Sequence, residues 1–534
     1  MTNPVSRTLA ELETEVRRLV GIEAFGEAMD AIRAFVDLIL NNPRATTRVL
    51  ASEELDRLCV LVGEAASRAS PDVPRKDSEQ SGGTVILATE LVMAGGHVEV
   101  IKDYIELAVF EAPVRVALTD CFGRADPSVA ARFAAAEGIE VSIADGADTA
   151  SRFASIVSNL RRLRPSTLVI LVHNQDTIGI CAALASHCER IIYIHHGDHH
   201  LSLGVTLPNF VHVDLANIAF DNCRHALGIH GNVYWPLISR IETIEPRLTH
   251  INLTDGILSC AVGRPEKFDA RGYAFDYIEL LPVILAATKG RHIHIGNLPS
   301  EMMSRLEESF SRQGVDLSRV EFVPWVSSVA QTLRERAVDL YIGSFPFGGG
   351  KAAIEAMAAG IPLLMHQNYR HRMYCGADIS YPGALRWRDV GELLKALSAI
   401  TPGLLRHHSE LSRAHYVAHH TGHVLLEAVR ASHEGPGILP PPLSEHVTNS
   451  LQSFLDEDRD IAQQTNQSFL DGQSSGNTVL YENVERALRE DFERASAAYL
   501  ARIAELEAVH RSLSKLFRRY CQVLRARIAK KLHV

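Results

Sequence analysis

The chain has 534 residues, of which 46% are hydrophobic and 22% charged, so it can build several globular cores. Its formal net charge of −10 excludes nucleic-acid binding driven by the charge of the whole chain. The eight cysteines form no Cys-x-x-Cys pair, which favours a reducing compartment and argues against a structural zinc site. Because the sequence shows neither a secretion leader nor an apolar run of about 18 residues, we expect a cytoplasmic protein.

Residues 1–70 are predicted to form a helical module. Apolar residues recur at spacings of three and four between Leu9 and Val20, and the pattern resumes after Gly26. Residues 70–83 are polar and carry proline and glycine, which is typical of a linker. Nothing in the module indicates chemistry, so we expect an interaction or oligomerisation module.

Residues 84–250 alternate apolar runs with helical segments, a pattern that predicts a parallel, doubly wound sheet. The predicted strands are Val85–Ala88, 114–118, 140–143, Thr167–Val172 and Arg190–Ile194, followed by short late strands at 211–213 and 218–220. Ligands of such sheets bind beyond the carboxyl ends of the strands. Polar residues follow the strands at three such ends: Gly95-Gly96-His97, His173-Asn174, and residues 195–200.

Residues 195–200 hold four histidines and one aspartate: His195, His196, Asp198, His199 and His200. One interpretation is a metal site, although ligands usually come from separated positions and neighbours on an extended loop point apart. A second is a catalytic loop that contacts a substrate, since imidazole titrates near neutral pH. A third is a structural loop. We predict no metal here, and the candidate catalytic residues are His97, His195, His196 and Asp198.

Residues 256–430 repeat the alternation and are predicted to form a second domain of the same class. A strand at Ile257–Val262 leads into a turn that carries Arg264 and Lys267. Two cations held at a strand end can neutralise the diphosphate that leaves during a transfer reaction. A solvated charged turn is the alternative interpretation.

A strand, a glycine loop and an Ala-rich helix follow one another between residues 337 and 362. The helix begins at Lys351 and ends at Gly360. Glycines permit unusual backbone conformations and leave room for a ligand, while a helix N-terminus and a lysine suit a phosphate. Glu355, one turn further on, can accept hydrogen bonds from sugar hydroxyls. The candidate donor-binding residues are therefore Arg264, Lys267, Gly348, Gly349, Gly350, Lys351 and Glu355; an ordinary strand-to-helix turn is the alternative.

The glycines followed by Glu-Ala-Met-Ala-x-Gly-x-Pro resemble the donor-binding segment of GT-B glycosyltransferases. The Gly-Arg…Lys turn is similar to the diphosphate clamp of the same enzymes, and the resemblance covers residues 84–430. It implies an α/β protein of two tandem Rossmann-like domains, here with helical N-terminal and C-terminal extensions. Glu355 would hold the ribose and the glycine loop the diphosphate. Phe347 stands where many retaining members carry a second Glu, so that contact to the donor sugar is not implied.

The resemblance implies a hexosyltransferase that moves a sugar from a nucleotide-diphosphate sugar to a glycan or protein acceptor. The donor would bind the second domain, and the acceptor would face the first. Such enzymes need no bound metal, so we expect no cofactor. Two alternatives remain: a nucleotide-sugar 2-epimerase of the same fold, which product analysis would distinguish, and a non-catalytic scaffold that binds a nucleotide-sugar without turnover.

A proline-rich segment near residue 435 marks a boundary, after which a flexible connector is predicted over 435–480. Residues 481–534 carry apolar residues at spacings of three and four over about six heptads, which predicts an amphipathic helix or coiled coil. After Glu507 the charged residues are all basic. We expect either a homo-oligomer through the terminal helices or peripheral contact with the anionic inner face of a membrane.

Overall fold

The computed structural model describes residues 8–42, 44–69, 82–92, 95–197, 199–240, 253–270, 273–369, 372–435, 437–440 and 451–458. Most of the predicted connector and all of the predicted C-terminal helix lie outside these residues, and so do the predictions attached to them. Within the described ranges, no helix combines the length and the apolar character that crossing a bilayer requires.

Three helices form the N-terminal module: α1 (Leu9–Gly21), α2 (Phe25–Leu40) and α3 (Glu53–Ala69). The start of α1 is fixed by a capping box between Thr8 and Glu11. The apolar faces of all three helices lie in one hydrophobic cluster with residues of the first sheet, including Leu87 and Leu168. The amphipathic pattern of this module is therefore explained by packing on the chain's own first domain.

The first sheet has seven parallel strands in the order β3-β2-β1-β4-β5-β6-β7. They are β1 (Thr84–Ala88), β2 (Val114–Leu118), β3 (Glu140–Ile143), β4 (Thr167–Leu171), β5 (Ile191–His195), β6 (Phe210–Asp214) and β7 (Val233–Tyr234). Its helices are α4 (Gly96–Glu106), α5 (Pro127–Glu137), α6 (Thr149–Leu163), α7 (Thr177–Ala185) and α8 (Asn217–His225). The strand predicted at 218–220 is wrong, because these residues lie in α8, where all three are buried. Three consecutive apolar residues show no periodicity, so their pattern fits a buried strand and a buried turn of helix equally well.

The second sheet has six parallel strands in the order β10-β9-β8-β11-β12-β13. They are β8 (Leu258–Val262), β9 (Arg291–Ile295), β10 (Val320–Val323), β11 (Leu340–Ile342), β12 (Leu363–His366) and β13 (Leu385–Trp387). Its helices are α9 (Tyr277–Thr288), α10 (Ser300–Gln313), α11 (Val329–Glu335), α12 (Gly350–Ala358), α13 (Val390–Ser398) and α14 (Pro402–His419). Two doubly wound α/β domains in tandem confirm the predicted fold class.

The chain returns to the first domain after completing the second. Helix α15 (Gly422–Glu434) places Leu425, Ala428 and Val429 in a hydrophobic cluster with the strands of the first sheet. The indole nitrogen of Trp235 donates a hydrogen bond to Ser432 Oγ over 3.1 Å. Further on, the helical residues 451–458 add Leu451 and Phe454 to the cluster under the N-terminal module. The first domain is thus assembled from distant parts of the chain.

Candidate functional site

Three histidines from separate segments of the chain meet at the carboxyl edge of the first sheet. His97 lies in the first turn of α4, His173 follows β4, and His196 follows β5. The ring centroids are 5.3 Å apart for His97 and His173, 5.8 Å for His97 and His196, and 6.2 Å for His173 and His196. We call these three residues the histidine cluster. Parallel strands place their carboxyl ends at one edge, which is why residues so far apart in sequence come together here.

Glu90 contacts two members of the histidine cluster, and the sequence did not predict it as a site residue. Its backbone oxygen lies 3.2 Å from His97 Nε2, and one carboxylate oxygen lies 3.9 Å from His173 Nε2. The Arg124 guanidinium donates to both carboxylate oxygens and also lies over the ring of Phe122. Arg124 lowers the pKa of Glu90, so an ionised carboxylate stands beside the cluster. The only sequence signal was an acidic residue just beyond a buried strand.

The imidazoles of the histidine cluster are held in their neutral form. Burial lowers the pKa of His196 to about 3 and that of His173 to about 4, and it also lowers the pKa of His97. The imidazole of His97 further disfavours a charge on His173 and His196, and Arg264 of the second domain disfavours one on His97 and His173. A neutral imidazole can accept a proton from a hydroxyl group. His173 Nε2 is buried and has no hydrogen-bond partner among the described residues.

The other members of the 195–200 run lie elsewhere. Asp198 is outside the described residues. His195 is the last residue of β5, where side chains alternate between the two faces of the sheet, and its ring packs against Tyr193 and His212 instead of the histidine cluster. His199 and His200 contact each other, with ring centroids 4.4 Å apart. The loop is tied to the end of β4 by Asn174, whose amide donates to Gly197 O and Ser202 Oγ.

On the second domain, the turn after β8 and the glycine loop form a single site. Lys267 Nζ donates a hydrogen bond to the carbonyl oxygen of Gly348, and Phe347 N donates to Lys267 O over 3.3 Å. Burial, followed by the charge of Arg264, lowers the pKa of Lys267 to about 8. Arg264 itself is exposed. The two segments predicted to hold a diphosphate are therefore in direct contact.

Gly348 of the loop is required for space, and none of the three loop glycines is required for an unusual backbone angle. None of Gly348, Gly349 and Gly350 has a positive φ, and Gly349 caps α12 with φ −125° and ψ 96°. A Cβ added at Gly348 would overlap the backbone carbonyl of Cys375, with the Cys375 Cα 2.8 Å away. A Cβ at Gly349 would meet nothing closer than Lys267 Nζ at 3.5 Å. Close approach of two backbones explains glycine at position 348.

Lys351 and Glu355 of α12 both have protein partners. Lys351 Nζ forms an ion pair with Asp103 and donates to the carbonyl oxygen of Ile238 over 2.8 Å, and both partners belong to the first domain. Glu355 Oε2 accepts a hydrogen bond from Ala330 N at the start of α11 over 3.0 Å, and burial raises the pKa of this carboxyl. Their roles toward a donor stay predictions.

Searches with models of known protein families and against curated proteins give no match. Solved structures do match. The lipopolysaccharide outer core galactosyltransferase WaaB, in its apo form, is 15% identical with a TM-score of 0.50, covering 66% of this chain and 99% of that chain. A glycosyltransferase from Rickettsia africae ESF-5 is 11% identical with a TM-score of 0.50, covering 65% and 96%.

The chain has the GT-B glycosyltransferase fold. In this GT-B fold the histidine cluster belongs to the first domain and the Lys267–Gly348 contact to the second. Arg264 lowers the pKa of both His97 and His173, and the ion pair between Lys351 and Asp103 joins α12 of the second domain to α4 of the first, the helix that carries His97.

Proposed function

We propose that this protein is a glycosyltransferase that moves a sugar from a nucleotide-diphosphate sugar to a glycan or protein acceptor. The observation that carries the proposal is the pairing of the partly buried Lys267 and its glycine loop with a cluster of neutral histidines in the other domain. Transfer of a sugar is accelerated by a cation for the departing diphosphate and by a base for the acceptor hydroxyl. The two sites supply these separately.

The donor side consists of Arg264, Lys267, the glycine loop and the N-terminus of α12. The diphosphate gains negative charge as its bond to the sugar breaks, so fixed cations stabilise the transition state more than the bound donor. The free N–H groups at the start of α12 add a positive dipole end. Glu355 can offer carboxylate lone pairs to ribose hydroxyls beside its backbone hydrogen bond from Ala330 N.

On the acceptor side, His173 is the best placed base. Its Nε2 atom has no hydrogen-bond partner within the described chain, so no protein group competes for the nitrogen that would take the proton. The carboxylate of Glu90, 3.9 Å from that nitrogen, stabilises the imidazolium that forms when the proton is taken. The rings of His97 and His196 pack against the His173 ring.

The experiment is a thermal-shift panel of nucleotide-diphosphate sugars followed by product analysis. A donor at about 100 times its dissociation constant stabilises the protein by about 2.7 kcal/mol. We expect one class of donor to stabilise the parent, and its sugar to appear on an acceptor. The proposal is contradicted if no donor in the panel stabilises the protein. An epimerised nucleotide-sugar would identify a 2-epimerase, and binding without turnover a scaffold.

Two variants separate the donor and acceptor roles. We expect Lys267→Met to lose most of the donor-induced stabilisation, because the partly buried cation is gone. We expect His173→Asn to keep that stabilisation and to transfer at least about 100-fold more slowly, the usual contribution of a general base. His199→Asn is the matched control, since its ring contacts His200 outside the histidine cluster. A fully active His173→Asn enzyme contradicts its assignment as the base.

A further inference from the structure

Four potential metal ligands converge in the interior of the first domain. They are His195 at the end of β5, His212 and Asp214 on β6, and Cys223 on α8. Their exposed fractions are 2%, 4%, 0% and 1%, so the group is closed to solvent. One nitrogen, oxygen or sulfur atom from each residue lies within 4.8 Å of the corresponding atom of every other.

The topology of the sheet explains this convergence. His195 and Asp214 are partners in the register of β5 and β6. His212 precedes Asp214 by two positions and therefore lies on the same face of the strand. Helix α8 follows β6 and places Cys223 Sγ 3.3 Å from Asp214 Oδ1 and 3.4 Å from His195 Nδ1. The ligands come from three elements, which is the arrangement that a run of neighbouring histidines could not provide.

The spacing of the inner atoms is close to that of a tetrahedral site. Asp214 Oδ1 lies 3.0 Å from His195 Nδ1 and 3.1 Å from His212 Nε2. A tetrahedral ion at about 2.0–2.1 Å from nitrogen and oxygen and about 2.3 Å from sulfur holds its ligand atoms about 3.3–3.6 Å apart. Four of the six pair distances, 3.0–3.4 Å, are within a few tenths of an ångström of these values, and the other two pairs lie within 4.8 Å.

The charges of the group also balance around a divalent ion. The carboxylate of Asp214 is fully buried, and its hydrogen-bond partners among the described residues are His195, His212, Cys223 and Asn232, none of them permanently charged. One thiolate, one carboxylate and two neutral imidazoles around a +2 ion give a net charge of zero. A buried group without net charge avoids the desolvation cost of an isolated ion.

We propose that His195, His212, Asp214 and Cys223 bind one zinc ion as a structural site. Two nitrogens, one oxygen and one sulfur in a tetrahedral arrangement suit zinc better than magnesium or calcium, which prefer oxygen ligands. Four protein ligands leave no open position for substrate. Asn232 donates to the outer oxygen Asp214 Oδ2 over 2.7 Å and orients the carboxylate, as outer partners of metal ligands do.

The site would connect the interior of the domain to the histidine cluster. His195 directly precedes His196, so an ion bound to His195 would anchor the strand end that presents His196. It would also join β5, β6 and α8, which otherwise meet through apolar packing and the Asp214 hydrogen bonds. The zinc proposed here is thus distinct from catalysis, and it revises the expectation from sequence that the chain holds no structural zinc.

Cobalt(II) substitution tests the site, because only a thiolate ligand produces a sulfur-to-cobalt charge-transfer band in the near ultraviolet. The full chain is kept reduced, stripped with chelator and titrated with cobalt. We expect the band to saturate at one equivalent and to disappear when one equivalent of zinc is added. The sulfur-specific band is needed because the chain has 25 histidines that can bind metal elsewhere.

Cysteine variants assign the band. We expect Cys223→Ala to lose it, whereas Cys260→Ala, a matched change of a fully buried cysteine on β8, keeps it. Cys223→Ser serves in place of the alanine variant if circular dichroism shows that the latter does not fold. The proposal is overturned if the folded parent gives no band at saturating cobalt, or if the band persists in the Cys223 variants.

Discussion

Lys267 combines a charge with a partly buried position, and if it binds the donor as proposed, donor binding should be sensitive to pH. Its pKa is lowered to about 8, first by burial and then by Arg264. The free protein therefore loses this charge as the pH rises above 8, whereas a bound diphosphate favours the protonated form. We expect donor affinity to fall about tenfold between pH 7 and pH 9, since each pKa unit corresponds to about 1.36 kcal/mol. Titration calorimetry at the two pH values measures the change.

Two variants show whether Lys267 causes this pH dependence. Lys267→Met should bind the donor more weakly at pH 7 and should lose the tenfold change, because it has no proton to release. Lys395→Met, which alters an exposed lysine on α13, should behave as the parent does. Equal pH dependence in the parent and in Lys267→Met would show that another group titrates.

Gly348 and Gly349 are neighbours with different structural requirements, and alanine substitution should separate them. A Cβ at Gly348 has no space beside the backbone of Cys375, whereas one at Gly349 makes only ordinary contacts. We expect Gly348→Ala to lower the free energy of unfolding by about 1–3 kcal/mol, the usual cost of overpacking. Gly349→Ala should change it by less than about 0.5 kcal/mol. Denaturant titration of both variants tests this, and equal stability would refute the packing argument.

At the level of single residues, the sequence predicted positions better than contacts. His97, His173 and His196 could be placed at strand ends because alternation of apolar and polar segments shows where each strand stops. The partners could not be predicted, since Asp103 and Lys351 lie 248 positions apart and belong to different domains. His212, Asp214 and Cys223 were not noticed because His212 lies inside the predicted late strand 211–213, Asp214 directly follows it, and Cys223 follows the predicted strand 218–220.

Helix α3 is attached to the loop after β5 by one buried carboxylate. Asp56 accepts hydrogen bonds from Gly204 N, Thr206 N and Thr206 Oγ1 over 2.6, 2.8 and 2.7 Å. We expect Asp56→Ala to cost about 3 kcal/mol or more, because three buried donors lose their acceptor. Thermal unfolding of Asp56→Ala and of Glu53→Ala, on the exposed face of the same helix, provides the comparison. A change below about 1 kcal/mol in Asp56→Ala would mean that water replaces the carboxylate.

Element boundaries followed from sequence where a cap or a long apolar run was present. Strands β2 and β3 begin and end where the residue pattern predicts. The residue pattern over 411–430 is that of one continuous helix, but the structure ends α14 at His419 and begins α15 after Thr421, whose side chain accepts from Val424 N. The local pattern continues through this break. The break exists because the chain leaves one domain for the other, which is a tertiary requirement.

At the level of the whole molecule, the ion pair between Asp103 and Lys351 couples the two domains. Asp103 also faces Arg240 Nε at 3.0 Å, so Lys351 shares its partner. If Lys351 serves the donor, binding must compete with this pair. We expect Asp103→Asn to bind the donor up to about tenfold more tightly, a gain of about 1.4 kcal/mol. The variant should also unfold more easily, since a largely buried cation loses its partner.

Calorimetry and denaturant titration of Asp103→Asn measure both effects. Glu106→Gln is the matched control, because it removes another partner of Arg240 and leaves the Lys351 pair intact. Weaker donor binding by Asp103→Asn would show instead that Asp103 holds Lys351 in the position from which it contacts the donor.

The return of the chain to its first domain sets an order for synthesis. Helix α15 and residues 451–458 are translated only after the entire second domain. Until then the apolar surface that Leu425, Ala428 and Val429 cover remains open, while the second domain, whose strands and helices are contiguous from β8 to α14, can already fold. The first domain therefore starts to be synthesised first but completes its core last. A ribosome that stalls inside the second domain leaves an exposed apolar surface on the nascent chain, where chaperones or aggregation would act.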